Sequence, residues 1–196
     1  MIFQIQKAWE QRKFDSLFDC TISNSNFSRA ELSYKEGSVL NIHYGDVLIK
    51  YGSIIDVQCD EIPFIRNSDC DDFRDLWLQE GDIIIADAAE DKTVGKACEI
   101  ANLQDSCIIS GLHTMVYRPL VNMSRGYLGY YLNTDSYRQQ LIPLMQGIKV
   151  LSLSRSNIQN TLVSYPSSTD EQEHIVACFK NVDNLITLHQ RKLNNV

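Results

Sequence analysis

The spacing of hydrophobic and polar positions predicts several short strands. Residues 45–49 and 81–85 both read Gly-Asp followed by three apolar residues, and such a turn before an apolar run is typical of a strand start. Residues 107–116 alternate, are rich in Ile, Ser and Thr, and precede Pro119, which favours a strand that ends there. Residues 147–154 and 161–165 predict a turn with a strand and one more short strand. The echo of the two Gly-Asp segments suggests strands of similar role in one curved sheet.

Helical spacing is predicted at three places. Residues 9–18 offer apolar positions for one helix face, and residues 126–141 place four tyrosines at helical spacing, which predicts core packing. Asn157 suggests the cap of a single turn. The fold class is therefore α+β: a domain with a curved mixed β-sheet and short helices in residues 1–167, followed by a long coiled-coil-type helix in residues 168–196.

The C-terminal helix carries an apolar seam. Pro166 ends the strand before it, acidic residues crowd its first turn and basic residues its last, which suits the helix dipole. The seam positions are spaced 4, 3, 4, 3 and 4, which is a heptad pattern with one polar member. They are Ile175, Phe179, Val182, Ile186, His189 and Leu193. The pattern favours pairing with another helix; the alternative is a helix that lies on its own domain.

Composition gives the class of protein. The chain has 196 residues, of which 44% are hydrophobic, and this is typical of one globular core with a small appendage. No apolar stretch reaches the length of a membrane span, and the N-terminus lacks the apolar core of a signal peptide, so a cytoplasmic protein without a membrane partner is expected. The six cysteines lack metal-ligand spacing, which predicts reduced thiols and no zinc site.

Charge is unevenly distributed along the chain. The net charge is −7, but residues 56–91 hold twelve acids and two bases. Residues 92–155 hold seven bases and three acids, a balance of +4. A chain of this kind can present a DNA-binding face despite its net charge, although a solvated acidic loop would give the same asymmetry.

A series of motifs resembles one known family along nearly the whole chain. The motifs are Gly-Asp-Ile-Ile-Ile-Ala-Asp (81–87), Thr-Val-Gly-Lys (93–96), Ser-Gly-Leu-His-Thr (110–114), Tyr-Leu-Gly-Tyr-Tyr-Leu-Asn (127–133), Gln-Gly-Ile-Lys-Val (146–150), and Pro166 followed by Glu171, Gln172 and a long helix. In order and spacing they resemble the specificity (S) subunit of type I restriction–modification enzymes. Each motif alone is weak.

The resemblance implies a non-catalytic subunit without a cofactor. An S subunit reads a bipartite sequence in double-stranded DNA with two target-recognition domains. Its helical regions pair antiparallel and dock methyltransferase subunits, and a restriction subunit joins for cleavage. This chain has one recognition domain and one helical region, so it is similar to a half subunit. A natural half gene, a silent cassette and a shortened piece of a longer subunit all remain open.

Candidate DNA contacts follow from the donors and cations that base and phosphate recognition needs. Lys92, Thr93 and Lys96 lie in a loop with Gly95 that suits phosphate approach; a solvated turn is the alternative. His113 is placed in a strand, where a lone histidine is more often a structural residue than a DNA contact. The remaining candidates alternate with apolar residues or follow the first Gly-Asp segment. They are Lys149, Ser152, Ser154, Arg155, Lys50 and Tyr51.

Two functions of other classes stay open from the sequence. Glu90-Asp91-Lys92, with Asp82 or Asp87, fits half of a metal-dependent nuclease site. A methyltransferase is not indicated, since a Gly-rich loop for the methyl donor is missing. The third possibility is a protein-interaction module in which only the helix matters. Magnesium-dependent cleavage of DNA would separate the nuclease from a recognition domain.

Overall fold

The computed structural model describes residues 9–194, and the side chains of residues 9–192. The strands are β1 (Trp9–Lys13), β2 (Phe18–Asp19), β3 (Leu32–Ser33), β4 (Leu40–Ile42), β5 (Ile54–Asp56), β6 (Phe64–Ile65), β7 (Ile83–Ala86), β8 (Ala88–Ala89), β9 (Ala97–Ala101), β10 (Ile108–Ser110), β11 (Thr114–Pro119), β12 (Leu151–Ser152) and β13 (Leu162–Pro166). The α-helices are α1 (Tyr44–Ile49), α2 (Tyr127–Tyr131), α3 (Asp135–Leu141), α4 (Arg155–Gln159) and α5 (Thr169–Asn194). The 3-10 helices span Phe14–Ser16, Arg29–Glu31, Cys70–Leu76 and Ile142–Leu144.

A five-stranded mixed sheet forms the centre of the domain, in the order β2-β11-β7-β9-β5. β7 is antiparallel to both neighbours, and β5 is parallel to β9. Ile83 and Ile85 pack with the tyrosines of α2 and α3, whereas Ile84 and Ala86 pack on the opposite face with Val47 of α1. Because both faces of β7 are buried, its sequence is continuously apolar. The predicted α+β fold with short helices and a long C-terminal helix is confirmed.

A second sheet has the order β10-β4-β6-β3, with β10 parallel to β4. The acidic 3-10 segment Cys70–Leu76 lies over it and buries part of Phe73. The structure pairs Cys70 with Cys107 as a disulfide, and so the expectation of free thiols is wrong for these two residues. Their spacing of 37 residues gives no local signal, because the pair forms only when the segment packs on the sheet.

The first Gly-Asp segment is a helix, so the predicted strand at residues 45–49 is wrong. His43 caps α1, because its Nδ1 accepts the backbone N–H of Gly45 at 3.2 Å. Asp46 is buried and receives the guanidinium of Arg29, whose Nη2 donates to Oδ1 at 2.8 Å. The apparent repeat therefore has two different structures, and only residues 81–85 lead into a strand.

We predict that His43 makes stability depend on pH. Burial, followed by the charge of Arg29 and of His113, lowers the pKa of His43 below 6.5, while Asp46 opposes this. The unfolded chain takes up a proton near pH 6.5 and the folded chain only at lower pH, so the free energy of unfolding should fall as pH drops below about 6.5. Denaturant titrations between pH 7.5 and 5.5 measure this. His43→Asn, which keeps a capping oxygen, should flatten the dependence, whereas His174→Asn on the exposed face of α5 should not.

Residues 9–18 form strand β1 and a 3-10 turn, so the predicted helix is wrong. β1 pairs antiparallel with β13 along its full length, from Trp9 opposite Pro166 to Lys13 opposite Leu162. Phe14 and Leu17 are then fully buried. The pairing partner is far away in sequence, and a local pattern of apolar positions could not reveal it.

Two predicted elements are each divided in the structure. A turn at residues 111–113 separates β10 from β11 within the predicted strand of residues 107–116. The predicted helix of residues 126–141 breaks between α2 and α3, where Thr134 caps α3. Asn133 lies at the break, and its side chain bonds both the N–H and the C=O of Ala97 on β9. The prediction that the tyrosines pack in the core is confirmed, as Tyr127 and Tyr137 are among the most buried side chains.

The first turns of α5 are anchored in the domain. Gln172 is buried; its side chain accepts the N–H of Ser124 and donates to the C=O of Pro166, both at 2.8 Å. Val176 packs in the main core, and Phe179 stacks on Tyr130 with ring centres 5.0 Å apart. Beyond this point the helix is exposed through residue 192. Within residues 9–194, none of the helices has the length and apolar character needed to cross a bilayer.

Candidate nucleic-acid interface

Several loops meet where the chain leaves β7 and enters β11. Thr114 pairs with Ala86, so the turn at residues 111–113 lies beside Asp87. The N–H of Asp87 donates to the C=O of His113 at 3.0 Å, and its C=O accepts the N–H of Leu153 at 2.8 Å. β8 pairs with β12 next to this point. We call the turn 111–113, Asp87, the β8–β12 ribbon and the loops 90–96 and 146–150 the recognition edge.

His113 lies in the turn and not in the predicted strand. Its φ is +54°, a left-handed conformation that is uncommon for residues other than glycine and costs energy. Nδ1 lies 3.1 Å from Oδ1 of Asp87, and the ring packs edge-on against Tyr44 at 5.2 Å. The side chain is half exposed. Asp87 and Tyr44 therefore hold an imidazole at the surface in a fixed orientation.

The loop 90–96 is built to present Lys92. The carboxylate of Asp91 accepts the N–H of Thr93 at 2.8 Å and its hydroxyl, and these two bonds lower the pKa of Asp91. Arg138 of α3 donates to the backbone carbonyls of Lys92 and Val94. The ammonium of Lys92 stays in solvent on a well-supported backbone.

Lys50 and Lys96 already have partners at the C-terminal end of α1. Nζ of Lys96 donates to the C=O of Tyr51 at 2.7 Å and of Leu48 at 3.3 Å. Nζ of Lys50 lies 2.8 Å from the carboxylate of Glu61. Tyr51 is buried in the core, and so the structure gives it a packing role.

Five of the candidate residues border one cleft of about 1000 Å³. The cleft lies between the domain and the outer half of α5. Arg138 adds a fourth cation to its domain wall, and Asp183, Ile186 and Gln190 belong to its helical wall. The candidates that line it are Lys50, Tyr51, Lys92, Thr93 and Lys96.

The other candidates lie on or after the β8–β12 ribbon. Lys149 and Ser152 are exposed, with Lys149 in the loop that precedes β12. Ser154 caps α4, since its hydroxyl accepts the N–H of Asn157 at 3.2 Å, and it replaces the cap predicted at Asn157. The guanidinium of Arg155 donates to the carbonyls of Cys20, Val116 and Ile22, which gives Arg155 a role in the fold.

The carboxylates of the alternative nuclease site have separate partners. Asp82 is buried and forms two 2.8 Å bonds with Arg118, while Asp87 pairs with His113 and Asp91 with Thr93. Across residues 9–194 there is no group of three or more His, Cys, Asp or Glu side chains placed to hold a metal ion. This arrangement gives no support to metal-dependent cleavage.

The sequence reasoning missed an aromatic and cationic group beside α1. Tyr34 is 43% exposed, and the charges of Lys50 and Arg29 lie 4.6 and 5.7 Å from its ring centre. Tyr44 packs between His43 and His113. No local signal marked this group, because it forms only when the polar segment of residues 21–38 folds against α1.

The outer half of α5 exposes the apolar seam. Val182 and Ile186 are each about half exposed, and His189 is exposed. Leu185 and Leu188, which the heptad pattern omitted, are exposed by 67% and 54%. The side chain of Leu193 is outside the described residues. The inner seam residues contact the domain, so the first part of α5 lies on its own domain while its outer half is exposed.

The family of the chain follows from a family model for the type I restriction modification DNA specificity domain, which matches residues 7–196. The chain belongs to this family, and the resemblance in its motifs is confirmed. Membership also confirms the prediction of a DNA-specificity component rather than an enzyme. No curated protein matches the chain.

Three solved structures have a similar fold. One is a chain from a study of complex assembly and conformational transition of the type I R-M system. The sequence identity is 14% and the TM-score is 0.59, and the match covers 94% of this chain and 40% of that chain. The type I S subunit from M. genitalium has 14% sequence identity and a TM-score of 0.54, and the match covers 97% of this chain and 45% of that subunit. The HsdS subunit from Thermoanaerobacter tengcongensis has 15% sequence identity and a TM-score of 0.57, and the match covers 98% of this chain and 41% of that subunit. The chain thus spans less than half the length of these neighbours.

Proposed function

We propose that the chain is a half specificity subunit that reads one half of a bipartite DNA sequence through its recognition edge. The observation that carries the proposal is the concentration of exposed polar and cationic side chains at that edge, in a chain of this family. Nε2 of His113 and the hydroxyl oxygen of Thr93 can bond with base edges, because their other polar atoms are held by Asp87 and Asp91. Lys92 and Lys149 offer charge for phosphates. The nearby aromatic and cationic group around Tyr34 extends this surface. Lys50, Lys96, Ser152 and Ser154 remain proposed contacts of secondary weight.

We predict that Lys92→Ala and Lys149→Ala each weaken DNA binding and reduce the slope of log affinity against log salt by about one unit. Each removes a single phosphate contact. Fluorescence anisotropy of a labelled duplex over a series of salt concentrations measures both quantities. Lys96→Ala would also remove two bonds to carbonyls at the end of α1, so its effect on binding would be mixed with one on stability.

The matched control is Lys180→Ala, because Lys180 is exposed on α5 and belongs neither to the recognition edge nor to the residues that line the cleft. It should leave the salt slope unchanged. Equal slopes for all three variants and the unchanged protein would exclude Lys92 and Lys149 as phosphate contacts.

We also propose that two copies pair through the outer half of α5 in antiparallel orientation. Asp170 and Glu171 lie in the first turn of the helix, and Arg191 and Lys192 in the last. Antiparallel pairing through the outer half keeps the two basic last turns apart, whereas parallel pairing would bring these like charges together. Val182 and Ile186, the half-exposed apolar residues of the outer seam, would be covered by the same contact.

The length of α5 is suitable for a bipartite site. Its 26 residues span roughly 39 Å at 1.5 Å per residue. One turn of duplex DNA measures about 34–36 Å, so two recognition edges held apart by this helix would face the same side of the DNA. The pair would read an interrupted palindrome.

The helices would also form the scaffold for methyltransferase and restriction subunits, and the assembly would act in the cytoplasm. These partners rest on family membership alone. The experiment that tests the proposed function is selection of binding sites from random duplexes by the purified chain, alone and with a type I methyltransferase subunit. Enrichment of a two-part sequence is expected, and a failure to enrich any sequence in both mixtures would overturn the proposal.

A further inference from the structure

The loop 146–150 holds an isoleucine entirely in solvent. Ile148 is 100% exposed and Val150 is 54% exposed, with Lys149 between them. Exposed apolar side chains of this size at a loop tip are removed from water when a partner covers them. The loop belongs to the recognition edge, so the partner that would cover these two side chains is the DNA.

The backbone of the loop is closed and shaped. The N–H of Gln146 donates to the C=O of Ser152 at 3.0 Å, and the N–H of Ser152 returns a bond of 2.8 Å. Gly147 has a φ of +119°, and a Cβ at this position would lie 1.9 Å from the carbonyl oxygen of Val150. Only glycine fits there, so the turn at this residue holds Ile148 at the tip.

The loop extends a narrow ribbon. β12 pairs with β8, with Leu151 opposite Ala89 and Ser152 opposite Ala88. Continuing that register brings Val150 beside Glu90 and Lys149 beside Asp91, so the loop 146–150 and the start of the loop 90–96 leave the ribbon side by side. The major groove of B-DNA is about 12 Å wide and admits a two-stranded ribbon.

We propose that Ile148 contacts the 5-methyl group of a thymine in the major groove. The methyl group of thymine is the apolar group that base edges display in that groove, where the other edges offer donors and acceptors. Lys149, beside Ile148 in the same loop, would lie against a phosphate at the groove wall. The inference rests on the proposed function and names one base pair type within the half-site: a T·A pair at a fixed position.

The test is a substitution cycle on the selected duplex. Each thymine is replaced in turn by deoxyuridine, which lacks only the methyl group, and binding is measured for the full chain and for Ile148→Ala. Burying one methyl group changes affinity about fourfold. One deoxyuridine position should weaken binding of the unchanged chain by about that factor and should have no further effect on Ile148→Ala.

The control variant is Leu120→Ala. Leu120 is 64% exposed and follows β11 at the end opposite the recognition edge. Its binding should respond to every deoxyuridine as the unchanged chain does. Circular dichroism of each variant confirms folding, which an exposed position should not disturb.

The outcomes separate this inference from the proposed function. A chain that selects a sequence but shows independent effects of deoxyuridine and of Ile148→Ala would overturn the thymine contact alone. So would a selected site without a required T·A pair, or an Ile148→Ala variant that keeps its DNA selectivity and loses a methyltransferase subunit. A chain that selects no sequence would overturn both.

Discussion

Replacing Val182 and Ile186 with glutamate should turn a paired chain into a monomer. In antiparallel pairing centred near residue 184, Val182 of one copy faces Ile186 of the other, so the double variant places four carboxylates together at the two-fold axis. Burying charges without partners is unfavourable, and apolar contacts are lost as well. We expect association to weaken by about 1000-fold, which corresponds to about 4 kcal/mol.

Sedimentation of both proteins over a range of concentrations measures this change. The matched control is Asn181→Glu with Asn184→Glu, which adds the same charge to exposed positions on the opposite side of α5. This control should associate as the unchanged chain does. Val182 and Ile186 are better positions than Phe179, because Phe179 also stacks on Tyr130 of its own domain. A double variant that still dimerises would exclude the seam as the contact.

The orientation of the helices can be measured with thiols. Cys178 is exposed and free. In a Cys59→Ser background, antiparallel pairing should bring the thiol of a His189→Cys variant opposite Cys178 of the second copy, and a short bismaleimide should join them. Parallel pairing would instead join Cys178 to its own equivalent without the His189 substitution, and that product would contradict the antiparallel arrangement.

Removing the charge of Asp82 should cost about 3 kcal/mol of the free energy of unfolding. Asp82 is fully buried at the start of β7; it accepts two bonds of 2.8 Å from Arg118 and one of 2.7 Å from the N–H of Gln79. The bonds to Asp82 raise the pKa of Arg118. Asp82→Asn keeps the volume but turns a donor toward the guanidinium and leaves that charge without its counterpart, which is among the most destabilising of single changes.

Urea denaturation measures this loss, and an unchanged m-value would show that it arises in the folded state. Asp71→Asn is the control, since Asp71 and Arg74 form an ion pair in solvent and its loss should have no measurable effect. Combining Asp82→Asn with Arg118→Gln should cost less than the two single changes together, because the second change removes the unpaired charge. Strict additivity would show that the two side chains act independently.

Prediction from the sequence succeeded where the signal was local and repeated. The long C-terminal helix has an acidic first turn, a basic last turn and regular apolar spacing, and all three are properties of consecutive residues. The run at β7 is apolar because both faces of that strand are buried. The tyrosines of α2 and α3 were predicted to pack in the core because they recur at helical spacing.

Prediction failed where a distant partner decides the conformation. β1 is a strand because β13 pairs with it, and α1 is a helix capped by His43 although its sequence resembles the strand start at Gly81. The candidate contacts show the same limit. The sequence does not show which lysine and arginine side chains are free to bind DNA. Only the folded positions of the backbone carbonyls decide which of these side chains are held in hydrogen bonds within the domain.

The sequence by itself determined the family, the α+β fold class and the presence of a long C-terminal helix with an apolar seam, because these depend on residue order and periodicity. The tertiary structure alone decided which cations reach solvent. Arg155 is held by three carbonyls and Lys96 by two, whereas Lys92 and Lys149 are exposed at the recognition edge. It also decided that α5 uses its first turns to anchor the domain and leaves its outer half open. Both outcomes arise from packing between segments far apart in the chain.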